Sequence, residues 1–175
     1  RFCFVSTHLP SASMDAIRTA IVDAGAAGRR VTLSGGEPTL NAELLELVRL
    51  AKASSPHPIR LQTNAIRLAS AELCDAVVEA GVTEAFVSLH GATAAVSDAV
   101  THAPGTFEKT VVGIDRLVER GVGVVLNFVV CETNAHELPA YVTLVADRWP
   151  SASVNISFVA PSTDVVPRER EFIPR

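Results

Sequence analysis

Val31-Thr32-Leu33-Ser34-Gly35-Gly36-Glu37-Pro38 is a short apolar run that breaks into a turn of two glycines, a carboxylate and a proline. The apolar run reads as a buried strand. Glycine lets backbone approach a ligand closely, and proline biases the residue before it toward extended conformation. The turn therefore holds a carboxylate, Glu37, at a strand's carboxyl end, where it and the turn carbonyls could grip an ammonium group. An ordinary tight turn before a helix is the competing reading.

Helix and strand patterns alternate on both sides of this turn. Upstream, Ser13 is placed to cap a helix from about Met14 to Ala24, which Gly25 and Gly28 end. Downstream, Asn41 is expected to cap a helix with Leu44, Leu47, Val48 and Ala51 on one face. Ser54-Ser55-Pro56 stops it. Further strands are predicted at Ile59 to Thr63, Ala85 to His90, Val122 to Val130 and Val154 to Val159. Between them fall a helix capped by Ser70 and closed by Gly81, a short helix from Thr93 to Val100, one opened by Thr106 and stopped by Gly121, and one from His136 to Arg148. Trp149-Pro150 is expected to end that last helix and pack on the core.

Five strands with helices between them imply βαβ units, a parallel sheet and an α/β fold. Ligands in such sheets bind at the carboxyl ends of the strands. That rule selects Ser34 to Pro38, Thr63-Asn64, Ser88 to Gly91, Asn127 to Cys131 and Phe158 to Pro161. Residues 1–160 read as one domain, and 161–175 as a linker or the start of an extension.

The 175 residues are 48% hydrophobic and 19% charged, which describes a soluble globular chain without a long apolar span. A formal net charge of −4 provides no basic footprint for nucleic acid. Cys3, Cys74 and Cys131 are too far apart to make a disulfide framework or zinc signature among themselves, so a reducing cytoplasm is expected. Cys74 sits on an apolar helix face and reads as core. Cys131, at a strand's carboxyl end, reads as a buried bystander in preference to a substrate contact. Glu43 and Glu46 are expected to be solvated.

Phe2-Cys3, Ser34 to Pro38, Gln62-Thr63-Asn64, Val87 to Gly91 and Asn127 resemble, in order and spacing, the radical S-adenosylmethionine (SAM) superfamily. The resemblance implies a partial (β/α)6 TIM-like barrel of parallel strands whose first strand lies before Arg1. Members carry a CxxxCxxC loop that binds a [4Fe-4S] cluster, and three thiolates leave one iron open for SAM. Cys3 matches the last of those cysteines, so the other two are expected upstream, and the chain alone is expected to be inactive.

The implied activity is reductive cleavage of SAM to a 5′-deoxyadenosyl radical that abstracts a substrate hydrogen. The substrate is left open among small molecules, peptides and RNA, with an electron donor such as a flavodoxin or ferredoxin and no membrane association. Val87 to Gly91, Pro104 to Phe107, Asn127 and Asn134 to Leu138 look most like the branch containing molybdenum-cofactor biosynthesis and peptide-modifying enzymes.

The resemblance implies cofactor contact for Ser34, Gly35, Gly36, Glu37, Pro38, Thr63, Asn64, Ser88 and Asn127. Thr63 and Asn64 equally read as a strand cap and turn. His90 reads as a satisfied structural histidine, with proton transfer or substrate binding as its alternative. Asn127 interrupts an apolar strand and needs a partner, either SAM or substrate on one hand or a neighbouring backbone group on the other. Two other functions stay open: a cluster-free ligand- or partner-binding module, and a barrel lyase using Glu37 and His90 as acid and base.

Overall fold

The computed structural model describes residues 12–158. Six α-helices alternate with five β-strands among them: α1 (Met14–Ala26), β1 (Thr32–Leu33), α2 (Leu44–Ser54), β2 (Ile59–Thr63), α3 (Ala71–Ala80), β3 (Val82–Ser88), α4 (Ala94–Thr101), α5 (Phe107–Glu119), β4 (Gly123–Val130), α6 (Leu138–Arg148) and β5 (Ser153–Phe158). All strand pairs are parallel, and the sheet order β1-β2-β3-β4-β5 follows the chain. A doubly wound sheet would reverse its order partway. This one steps in a single direction, as the wall of a (β/α) barrel does.

Burial separates the two faces of the sheet. Leu61, Ala85, Val87 and Leu126 are fully buried and join the helix stripes in one core, which also holds Val48, Val77, Ile114 and Leu117. The residues between them (Arg60, Gln62, Glu84, Phe86 and Ser88) are only half-buried. The two-residue period of a strand thus puts apolar side chains under the helices and polar ones on the opposite, inner face. Register aligns that inner face in layers: Thr32, Arg60, Glu84 and Gly123; then Gln62, Phe86, Val125 and Ser153; then Ser88, Asn127 and Asn155.

Several helix starts follow the sequence. Ser13 Oγ accepts from Ala16 N–H at 3.2 Å, Ser70 Oγ from Leu73 N–H at 3.3 Å, and Thr93 Oγ1 from Val96 N–H at 3.4 Å. One start differs. A 3₁₀ turn at Pro38–Leu40 precedes α2, so Asn41 caps no helix; its Oδ1 accepts from Glu43 N–H at 2.8 Å, one residue before the helix begins. Thr106 opens α5 as read, its hydroxyl turned back to Ala103 O. The carboxylate of Asp98 takes the N–H groups of Gly105 and Phe107 instead, at 2.5 and 3.0 Å. Nor is Glu43 merely solvated, because Arg18 reaches across from α1 to pair with it.

Trp149 closes α6 at 1% exposure, its indole N–H donating to Asp115 at 2.8 Å. Cys74 and Cys131 are both buried and unpaired. Tyr141 is fully buried against Phe128, yet its hydroxyl has no hydrogen-bond partner among the described residues. Leaving such a group unmade costs about 1–3 kcal/mol. Tyr141→Phe is therefore expected to hold or raise the urea unfolding midpoint, and a clear drop would mean the hydroxyl has an acceptor.

Candidate functional site

The loop leaving β1 is open where a ligand would need room. A Cβ built on Gly35 or Gly36 would meet nothing within 4 Å, so packing does not require either glycine. Gly35 has φ +153°, a conformation that other residues avoid. Behind this open turn the Glu37 carboxylate is tightly engaged. Its Oε1 accepts from Thr39 N–H at 3.1 Å, Thr39 Oγ1 at 2.7 Å and Thr63 Oγ1 at 2.6 Å, while Oε2 accepts from Asn64 N–H at 2.7 Å. Four donors on one carboxylate make Glu37 a brace that pins the β1 loop to the end of β2. The arrangement leaves the turn's backbone, more than the carboxylate, to meet an incoming group.

Thr63 and Asn64 are similarly occupied. Thr63 Oγ1 accepts from Ala65 N–H at 3.0 Å, and Asn64 Oδ1 accepts from Ile66 N–H at 3.0 Å. Asn64 O accepts from Thr110 Oγ1 of α5 at 3.0 Å. Ser88 lies beside Asn127 on the inner face, and its hydroxyl makes no hydrogen bond among the described residues. Asn127 is 9% exposed. Among the described residues its partners are side chains and not a backbone group: Oδ1 accepts from Asn155 Nδ2 at 2.7 Å and Ser157 Oγ at 2.8 Å, both of β5. These two bonds fix which way the amide faces and direct its Nδ2 away from β5.

His90, just past β3, is 5% exposed, and its Nδ1 accepts from Val129 N–H at 3.2 Å. An accepting Nδ1 belongs to the neutral ring protonated at Nε2. Burial lowers its pKa to about 4. An unfolded His90 would take its proton near the ordinary value of about 6.5, so between these values the unfolded chain holds more protons. His90 then adds stability that is fully present above about pH 6.5 and is lost as pH falls toward 4, about 3 kcal/mol in all. Urea midpoints followed over that window should fall for the native chain and flatten for His90→Asn, whose Oδ1 can still accept from Val129. An unchanged slope in the variant would assign the effect to another group.

Two residues without a predicted role hold this side of the site together. Asn134 is fully buried; its Nδ2 donates to His90 O and Val129 O, both at 2.9 Å, and its Oδ1 accepts from Cys131 N–H at 2.8 Å. Glu137 accepts from Ala92 N–H at 2.7 Å and Thr93 Oγ1 at 2.6 Å, securing the loop after β3. Glu137 also stands 3.0 Å from where a Cβ on Gly91 would be. The only sequence signal for either was a place within a family-like stretch, because their partners past β3 (His90, Ala92 and Thr93) lie 44 to 45 residues off in the chain.

Cys3 lies outside the described residues. Among the described residues no three His, Cys, Asp or Glu side chains gather to hold a metal, and no helix is long and apolar enough to cross a membrane. The open glycine cradle beside a layer of polar strand ends fits a polar ligand such as SAM. Cys74 and Cys131 are both buried, on α3 and just past β4.

Comparisons with known proteins agree with this architecture. The model of the Radical SAM superfamily matches residues 1–145. Mycofactocin maturase MftC of Mycobacterium tuberculosis is 32% identical over 139 residues, covering 77% of this chain and 34% of that protein. Pre-heme d1 synthase of Dinoroseobacter shibae is 32% identical over 116 residues, covering 66% of this chain and 28% of that protein. The chain thus spans about a third of the length of these relatives. The structure of anSMEcpe with bound AdoMet and Cp18Cys peptide superposes with a TM-score of 0.78 at 15% identity, over 99% of this chain and 50% of that one. Enzymes of the matched superfamily use a [4Fe-4S] cluster and SAM. A one-directional parallel sheet, a braced Gly-Gly-Glu-Pro turn at its carboxyl edge and a family model covering most of the sequence lead to one assignment: the chain belongs to the radical SAM superfamily.

Proposed function

We propose that this chain is the cofactor-binding core of a radical SAM enzyme, carried by one observation above others: the open Gly35-Gly36 cradle held in place by Glu37. In this reading Cys3 is one thiolate ligand of the [4Fe-4S] cluster. The Ser34 to Pro38 turn presents its carbonyls to the SAM ammonium, and Pro38 begins the 3₁₀ turn that fixes the loop's exit. Thr63 and Asn64 act through Glu37, while the Ser88 hydroxyl and Asn127 Nδ2 face the cofactor from β3 and β4. The cluster and SAM together supply one-electron cleavage of a carbon–sulfur bond and hydrogen abstraction from substrate. The residues described here bind, orient and exclude water.

The donor would be a cytoplasmic one-electron carrier such as a flavodoxin or ferredoxin. Of small-molecule, peptide and RNA substrates, a peptide draws support from the peptide-bound anSMEcpe structure. A lyase using Glu37 and His90 as acid and base draws none: four donors occupy the Glu37 carboxylate, and His90 is neutral above about pH 4.

Anaerobic iron–sulfur reconstitution of the full-length protein tests the proposal. Expected are cluster absorbance, SAM binding, and release of 5′-deoxyadenosine and methionine on reduction, all lost or sharply reduced in Cys3→Ala. A protein that assembles no cluster would overturn it. Gly36→Ala separates the cradle from the fold. With nothing within 4 Å of the added methyl, stability should stay within about 0.5 kcal/mol, while SAM affinity drops. Equal loss of both would make Gly36 a structural glycine.

A further inference from the structure

The polar groups of the inner sheet face divide into two kinds. At the rim, Glu37, Thr63 and Asn134 give their hydrogen-bonding capacity to neighbouring loops. Elsewhere on that face, Thr32 in β1, Ser34 just past it and Gln62 in β2 make no side-chain hydrogen bond among the described residues. With Arg60 and Phe86 they line a cavity of about 480 Å³, within the range of small-molecule sites. The cavity is open to solvent, and its unengaged donors and acceptors are free to meet water or a polar ligand.

Charge narrows the choice. Arg60 Nε and Nη2 donate to Glu84 Oε2 at 3.0 and 2.8 Å. Arg30 donates to the same carboxylate, Nη1 to Oε2 at 3.2 Å and Nη2 to Oε1 at 3.4 Å. Two guanidinium groups share one carboxylate, which leaves one positive charge in surplus at the cavity. Arg60 Nη1 has no acceptor among the described residues, and a third of the Arg60 side chain is exposed. A guanidinium edge with neutral donors beside it suits a planar anion. One surplus charge matches a monoanion; a nucleoside triphosphate would bring several charges without partners. Phe86, opposite Gln62 in the register, offers an apolar surface to the rest of the molecule.

We propose that this cavity binds an organic monocarboxylate, with the carboxylate on Arg60 and Gln62 and an apolar body against Phe86. The inference rests on the radical SAM reading of the rim. Arg60 lies four residues before Asn64 on β2, about 13 Å along the strand. A ligand anchored on Arg60 and extending past Phe86 would carry its other end toward Ser88 and Asn127. A free carboxylic acid and the C-terminal end of a peptide share this chemistry.

The test uses the full-length, reconstituted protein with SAM, and ligand-observed NMR with N-acetylphenylalanine and its primary amide. A C-terminally free peptide and its amidated form make the second arm and tell the two carboxylate sources apart. In at least one arm the acid should bind about tenfold or more tightly than the amide. Arg60→Met should remove that preference without changing SAM affinity. Glu84→Gln, which frees a second positive charge, should strengthen acid binding, and it stands in for Arg60→Met if that variant does not fold. Acid and amide binding alike in both arms, or a preference unmoved by the charge changes, would overturn the proposal. Failure of the radical SAM reading has a different signature, namely no cluster and no SAM binding.

Discussion

Glu37→Ala is expected to lower the unfolding free energy by about 3 kcal/mol and to weaken SAM binding by about tenfold or more. The carboxylate is the common acceptor of four donors from two loops. Thr39 and Thr63 are 2% and 4% exposed, so water cannot replace the lost acceptor at either hydroxyl. Buried donors without acceptors cost more than the bonds themselves contributed. The loop loses its tie to β2 at the same time, and the glycine cradle loses its position. Glu37→Gln should fall between the two, because one carbonyl oxygen remains but its amide NH₂ opposes the Asn64 N–H. Urea titration and SAM binding measured on the same preparations would check this. A Glu37→Ala protein of native stability would sink the bracing role.

Gly113→Ala is expected to cost a similar amount, about 3 kcal/mol, although it adds a single methyl group on a helix. A Cβ at this position would sit 2.2 Å from Ala65 O and 3.1 Å from Ala65 Cβ. The obstacle is backbone, so no rotamer change relieves it. Ala65 is fully buried with φ +58°, in the turn that follows Thr63-Asn64. Thr110, one turn earlier on α5, bonds Asn64 O. Moving the helix away would break that bond and displace the Asn64 N–H from Glu37. The variant should therefore lose SAM affinity as well as stability, unlike Gly36→Ala, whose methyl meets open space. Thermal unfolding of Gly113→Ala within a degree or two of the native chain would mean that α5 does not sit this close.

The alternation of elements was legible because its signals are local. Apolar positions at helical spacing marked Leu47, Val48 and Ala51, and a continuous apolar run broken only by Asn127 marked β4, with β2 found at Ile59–Thr63 as read. Gly81 and Gly121 stopped helices where expected, both at positive φ. The Asn41 cap was misread because a capping side chain identifies a helix start only where the helix begins next to it, and here a 3₁₀ turn intervenes. Thr106 opened its helix as read, although Asp98 takes the N–H of Phe107. Asn127 was correctly singled out as needing a partner, but Asn155 and Ser157 lie about thirty residues on, brought near only by the pairing of β4 with β5.

By itself the sequence determined the α/β architecture, the family, and the strand ends that carry the candidate site. Side-chain period and Gly-Pro punctuation act over a few residues and are written directly in the chain. Tertiary structure alone decided which polar groups are free to meet a ligand. Glu37 looks like a ligand carboxylate in sequence, yet Thr63 and Asn64, 26 and 27 residues away, occupy it. Glu137 looks like a surface acid, yet it secures a loop 45 residues upstream. Gln62 and Arg60 look like alternating strand residues, yet they open onto a cavity. The reason is that strand register and loop packing choose hydrogen-bond partners, bringing residues distant in the chain within 3 Å, and no local pattern encodes that choice.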